Sequence, residues 1–252
     1  HRDLHSFPTR RSSDLTARLI REGRTLGCFQ IESPAMRQLL KGLGADTLER
    51  VIQALALVRP GPAAGGMKEL FLRRARGLEQ TPRLDPGVDE LLAETHGVML
   101  YQEDVLRVAS AAAGLTLAQA DRLRQDLGRT RRDPRARERL GQGFVLAAAG
   151  RGMEPSAAGR LWTQLERFTG YSFCKAHAVS YGRLAWKCAW LKAHEPAVFF
   201  AALLSAQAGM YARTVYVNEA RRLGLQVLGP HVNRSRSEEH TSELQAPNTI
   251  SD

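Results

Sequence analysis

Apolar residues recur along most of the chain at spacings of three and four, the period of helices that bury one face. Leu48, Val51, Ile52, Leu55 and Val58 make one such stripe, and glycines and prolines cut the pattern into short pieces. One helix is predicted to open at Pro34 and close near Gly42. Asp46 is expected to cap the next, with Glu49 three residues later in capping-box spacing. That helix stops at "RPGP", Arg59 to Pro62, because neither proline continues it in register. Further helices are expected over Ala64–Arg76, Gly87–Thr95, Gln102–Ala113, Leu117–Leu127, Arg135–Ala149, Pro155–Phe168, Ala176–Ala193, Pro196–Gln207 and Val215–Leu223. Strand-like runs are confined to Leu26–Ile31, Val98–Leu100 and Gln226–Leu228. No segment repeats with the period of a solenoid. The expected fold is mainly α, a multi-helix domain with few short strands.

The two ends break the pattern. "HSFPTRRSSDL" (His5 to Leu15) and "RSEEHTSELQ" (Arg236 to Gln245) carry neither an apolar period nor a targeting signal. Both resemble translated sequencing adapter. The codons AGA TCG GAA GAG read as Arg236-Ser237-Glu238-Glu239, and their reverse complement in a shifted frame ends in the manner of Ser12-Ser13-Asp14-Leu15. Residues 1–15 and 236–252 are therefore read as artefactual tails, 16–210 as the helical domain and 211–235 as the start of a following module.

Between the tails lie 32 basic and 20 acidic side chains, a net charge of +12. Such an excess points to a polyanionic partner, nucleic acid or nucleotide, and away from an enzyme for acidic substrates. The longest apolar run, Pro196 to Leu204, is about half of what a membrane span requires, so no membrane partner is expected. Cys28, Cys174 and Cys188 lack paired or metal-type spacing, which fits free thiols in a reducing, cytoplasmic setting.

Two stretches concentrate polar chemistry. "ADRLRQDLGRTRRDPRARERL" (Ala120 to Leu140) holds eight arginines, whose planar forks suit phosphate oxygens, against Asp121, Asp126, Asp133 and Glu138. "GYSFCKAHAVSYG" (Gly170 to Gly182) sets Lys175 and His177 on the first turn of a helix, where backbone N–H groups and the dipole favour an anion. Tyr181 follows further along, a flat ring available to a base or sugar. Ordinary packing is the alternative for His177, Tyr181 and the tryptophans of the same helix, Trp186 and Trp190, and a solvated face for the arginines. Arg73, Arg74 and Arg76 end another helix, where its dipole alone favours cations. No P-loop, HExxH, CxxC or GxSxG occurs, and Glu32, Glu103 and Asp104 form no persuasive metal set.

Taken in order, "CFQIES", "VRPGP", "GVMLYQEDV", "ADRLRQDLG", "GYSFCKAHAVSYG" and "AWLKAHEPAVFFAALL" resemble the alpha subunit of bacterial DNA polymerase III, a C-family polymerase of replicative or error-prone type. The resemblance implies that residues 16–210 are the helical fingers domain of a DNA-directed DNA polymerase. It implies nucleotide contacts from Arg59, Arg124, Arg129, Lys175, His177 and Tyr181, with template–primer DNA and a deoxynucleoside triphosphate (dNTP) as ligands. A sliding clamp and other replisome subunits are implied as partners of the parent protein. The family's Mg²⁺ ions are held by three palm aspartates that would precede Thr16, so no catalytic or metal residue is expected on this chain and no activity from it alone. Departures from the pattern include Gln125 and Arg129 in place of an arginine and a lysine, and "FCKAH" where two hydrogen-bonding side chains are usual. The alternative is a non-enzymatic helical module that binds nucleic acid.

Overall fold

A computed structural model describes residues 10–58, 66–169, 173–229 and 244–245. Among the described residues it shows twelve α-helices, the mainly α architecture that the periodicity predicts. They are α1 (Arg10–Arg21), α2 (Pro34–Leu43), α3 (Leu48–Leu57), α4 (Met67–Ala75), α5 (Pro86–Leu91), α6 (Gln102–Ala113), α7 (Leu117–Arg129), α8 (Pro134–Ala149), α9 (Pro155–Thr169), α10 (Lys175–His194), α11 (Pro196–Ser205) and α12 (Arg213–Arg222). Two-residue strands, Gln226–Val227 and Leu244–Gln245, pair antiparallel.

Local chemistry sets most helix starts. Ser33 accepts from the Met36 amide and Pro34 takes the first helical position of α2, where a missing N–H costs nothing. Asp85 with Pro86 starts α5, and Asp133 with Pro134 starts α8. Thr116 and Gln119 close a reciprocal capping box on α7. At α3 the expectation is corrected. The cap is Thr47, whose hydroxyl accepts from Arg50 N at 3.3 Å, because the helix begins at Leu48, one residue after the start that a cap at Asp46 would give. Helix α1 was not expected, and it begins inside the segment set aside as adapter-like.

The contacts divide the chain into two compact units. One comprises Ala56–Val179, with a core of Val88, Leu92, Val105, Val108, Leu127, Phe144, Leu161, Leu165 and Phe168. The other comprises His1–Leu55 and Ser180–Asp252, where Ile20, Ile31, Leu40, Val51, Ala185, Ala189 and Phe200 are buried. Helices α3 and α10 run through the divisions. Residues 213–227 pack within the second of these units, with the beginning of the chain.

That unit is tied by buried polar contacts. The Lys192 ammonium, with its side chain wholly buried, donates to the carbonyls of Arg24 and Leu26 and to Glu219 Oε1, each at 2.8 Å. Glu32 is buried too, and its carboxylate accepts from Gly27 N (2.9 Å), Met210 N (2.8 Å) and the Tyr216 hydroxyl (3.0 Å). These bonds fold residues 25–32 into successive turns, with Gly27 and Gln30 at positive φ. The strand expected over Leu26–Ile31 is absent for that reason. Val98–Leu100 is likewise no strand; extended pairing there amounts to one isolated parallel bridge between Tyr101 and Phe173.

Burial raises the Tyr216 phenol above its ordinary value, and the hydrogen bond to Glu32 raises it further. A raised folded value means the folded chain holds this proton more tightly than the unfolded chain. The resulting stability is fully present below about pH 10 and is lost as pH climbs past it. Urea midpoints measured from about pH 8 to 11 should fall for the wild type and fall less for Tyr216→Phe.

Helices α3 and α10 meet closely where Gly182 lies buried. A Cβ built there would stand 2.5 Å from Ile52 Cγ1. Gly182→Val should therefore destabilise the chain by about 1–3 kcal/mol. Ile52→Ala in the same chain should recover part of the loss in a thermal melt.

Candidate functional site

Helix α10 begins beside the start of α6. Gln102 N donates to the Phe173 carbonyl at 2.9 Å, which lays residue 173 along the α6 entry. The next residue of α6, Glu103, then reaches the first amide of α10: Lys175 N donates to Glu103 Oε1 at 3.1 Å and Oε2 at 3.0 Å. A carboxylate of the protein thus sits where the sequence suggested an anion would bind. The Lys175 ammonium lies 3.8 Å from Glu94 Oε2 and 5.3 Å from the centroid of the Tyr101 ring. Asp104 turns back to accept from Leu100 N and Tyr101 N, both at 2.9 Å. Burial pushes the Asp104 carboxyl up, while those two amides and Lys175 pull it down. His177 is exposed, and its ring stands edge-on to Phe173 with centroids 5.4 Å apart.

The Lys175 ammonium thus pairs with Glu94, while Glu103 holds the Lys175 backbone amide and the lysine's charge acts on Asp104. The ion pair is half-exposed and long, the kind that contributes at most about 1 kcal/mol. A polyphosphate can compete for such a lysine because the partner it displaces is weakly held.

The arginine-rich stretch forms α7, a 3₁₀ turn and α8. Arg124 holds Asp121, with Nε to Oδ1 at 2.9 Å, and Gln125 bonds the other oxygen at 2.7 Å. The Arg124 hydrogen bond is the main reason the Asp121 carboxyl lies below its usual range. Arg129 is 74% exposed and only 3.6 Å from Asp126. Arg122, Arg132, Arg135 and Arg139 are exposed, whereas Arg137 pairs with Glu166 at 3.3 Å. This is a solvated cationic surface with loose intrahelical partners. Arg59 lies outside the described residues. Arg73 and Arg74 both pair with Glu79, and Arg74 also donates to the carbonyls of His96 and Gly97.

Tyr181 belongs to the unit that contains the chain's beginning. Its ring meets Phe29 edge-on, with centroids 5.2 Å apart and planes at 74°. Further along α10 the Trp190 ring stacks on His194 at 4.8 Å, and Arg183 and Lys187 are exposed.

Sequence reasoning did not assign a role to Lys192, although a signal was present: it follows Ala185 and Ala189 on the buried stripe of α10. Nor did it find the Glu103 contact, which joins positions 72 apart. Among the described residues, no group of three or more His, Cys, Asp or Glu side chains is arranged to hold a metal ion. No helix among them is long and apolar enough to cross a membrane.

Fold and surface together define a mainly helical module with a cationic face. Residues 3–150 match the bacterial DNA polymerase III alpha subunit finger domain, and the chain belongs to that family. It is similar to the error-prone DNA polymerase of Symbiobacterium thermophilum, 40% identical over 223 residues that make up 87% of this chain and 20% of that protein. It is also similar to DNA polymerase III subunit alpha of Aquifex aeolicus, at 35% identity over 218 residues (86% and 19%), and of Pseudomonas fluorescens, at 38% over 226 residues (87% and 19%). The chain spans about a fifth of the length of the curated relatives it matches. The family match begins at residue 3, within the adapter-like segment.

Proposed function

We propose that this chain is the fingers portion of a DNA-directed DNA polymerase, binding the incoming dNTP and the template–primer for DNA replication or translesion synthesis. The family membership carries this reading, and the surface chemistry supports it. Lys175 and His177 at the start of α10, with Arg124 and Arg129 on α7 and Arg59 after α3, neutralise and orient the triphosphate. Tyr181 meets the nucleoside. Each cation acts by placing positive charge where phosphate charge grows during transfer.

Mg²⁺ in the parent enzyme would supply the positive charge that the primer hydroxyl and the departing pyrophosphate require. The acids nearest Lys175 do not fit that task, since Glu103 and Asp104 are committed to backbone amides and Glu94 pairs with Lys175 itself. The metal-binding carboxylates are assigned to a palm outside this chain, and the chain alone is inactive. The parent works in the cytoplasm with a sliding clamp and other replisome subunits.

A decisive experiment replaces the corresponding segment of the Aquifex aeolicus subunit alpha with residues 16–229 of this chain. The chimera should extend a primed template and bind it more tightly when the matching dNTP is added. Binding that ignores the dNTP, equal on primed and unprimed duplex, would instead establish a non-enzymatic nucleic-acid-binding module, which the exposed arginines of α7 and α8 would also suit.

A further inference from the structure

Within one unit, residues 25–32 form a turn whose conformation is fixed from several sides. Thr25 Oγ1 donates to the Ile31 carbonyl, Gly27 N donates to Glu32, and Lys192 grips the carbonyls of Arg24 and Leu26. Cys28 and Ile31 are fully buried, but Phe29 between them is only half-buried. The next residue, Gln30, takes a left-handed conformation at φ 59°. A non-glycine residue holds that conformation at a cost of about 1–3 kcal/mol, and it persists where the surroundings over-determine it. The outcome of all these restraints is to present one phenylalanine ring to the Tyr181 ring at 74°.

We propose that Phe29 is a positioning residue for nucleotide binding: it fixes the Tyr181 ring edge-on so that the tyrosine meets the nucleoside part of the incoming nucleotide. This rests on the role proposed for Tyr181. An edge-to-face pair restricts ring rotation on both sides, and an aromatic surface held in one orientation loses less entropy when a planar ligand settles on it. The phosphates are held by other residues, so Phe29 acts on the nucleoside and not on the triphosphate.

The test measures binding of a deoxynucleoside triphosphate and of inorganic triphosphate to the 252-residue chain, for the wild type, Phe29→Ala, Phe29→Tyr, Tyr181→Ala and the double variant Phe29→Ala/Tyr181→Ala. Circular dichroism and a thermal melt check that each variant folds. Phe29→Ala should weaken nucleotide binding about three- to tenfold, as one aromatic pair is worth, and leave inorganic triphosphate binding unchanged. Phe29→Tyr should restore it. Phe29→Ala should have no further effect once Tyr181 is alanine. If Tyr181→Ala weakens nucleotide binding and Phe29→Ala does not, or if the two losses simply add, the positioning role is wrong while the nucleotide reading stands. If Phe29→Ala weakens inorganic triphosphate equally, its role is general packing. A wild-type chain that binds neither probe, or a Tyr181→Ala variant that loses nothing, overturns the reading of this site and the positioning role with it.

Discussion

Lys192→Met should cost the chain about 3–5 kcal/mol in urea unfolding, the range for removing one partner of a buried ion pair. The reason lies in what stays behind. Methionine fills the volume of the lysine stem, but Glu219 keeps a largely buried charge, and the carbonyls of Arg24 and Leu26 lose their donor. The two carbonyls must then be desolvated without compensation, and Glu219 keeps only a loose contact with Arg222 at 4.0 Å. Glu219→Leu added to Lys192→Met should recover part of the loss, since removing both charges is far less costly than stranding one. A double variant no more stable than the single would show that the carbonyls, and not the stranded carboxylate, set the cost.

Two changes at the start of α10 should move triphosphate affinity in opposite directions. Lys175→Ala deletes a cation proposed to meet the triphosphate; a charge-assisted bond to phosphate contributes about 1.5–3 kcal/mol, so affinity should fall roughly ten- to a hundredfold. In the assembled polymerase the same change should raise the apparent KM for dNTP. Glu103→Gln keeps an acceptor for the Lys175 amide but removes a negative charge from the place an anion would take. Affinity should therefore rise, at a stability cost of about 1 kcal/mol or less. Isothermal titration with inorganic triphosphate reads both. If Glu103→Gln weakens binding, the carboxylate is part of the site and not its competitor.

The helices were legible because their signals are local. Ser33 and Pro34, Thr116 and Gln119, and Asp133 and Pro134 each mark a helix start within four positions. The turn at residues 25–32 was not, because β-branched and aromatic side chains in "LGCFQI" read as strand, while Glu32 and Lys192 draw partners from positions more than 160 away. A cap read at Asp46 fell one residue early, since Asp and Thr are both good caps and only the geometry chooses. At the candidate site the sequence indicated which cations gather near one helix start. It could not show that Glu103 reaches the Lys175 amide, because the bridge between Tyr101 and Phe173 that brings the two stretches together leaves no mark in either.

The Glu32 carboxylate also sets a schedule for biosynthesis. Its hydroxyl donor, Tyr216, is 184 residues further along the chain. At about 5–20 residues per second, a ribosome needs roughly ten to forty seconds to deliver that donor. Throughout the interval the nascent segment around residue 32 has only its local amide donor, so the buried contacts of this unit close only after residue 216 has been made.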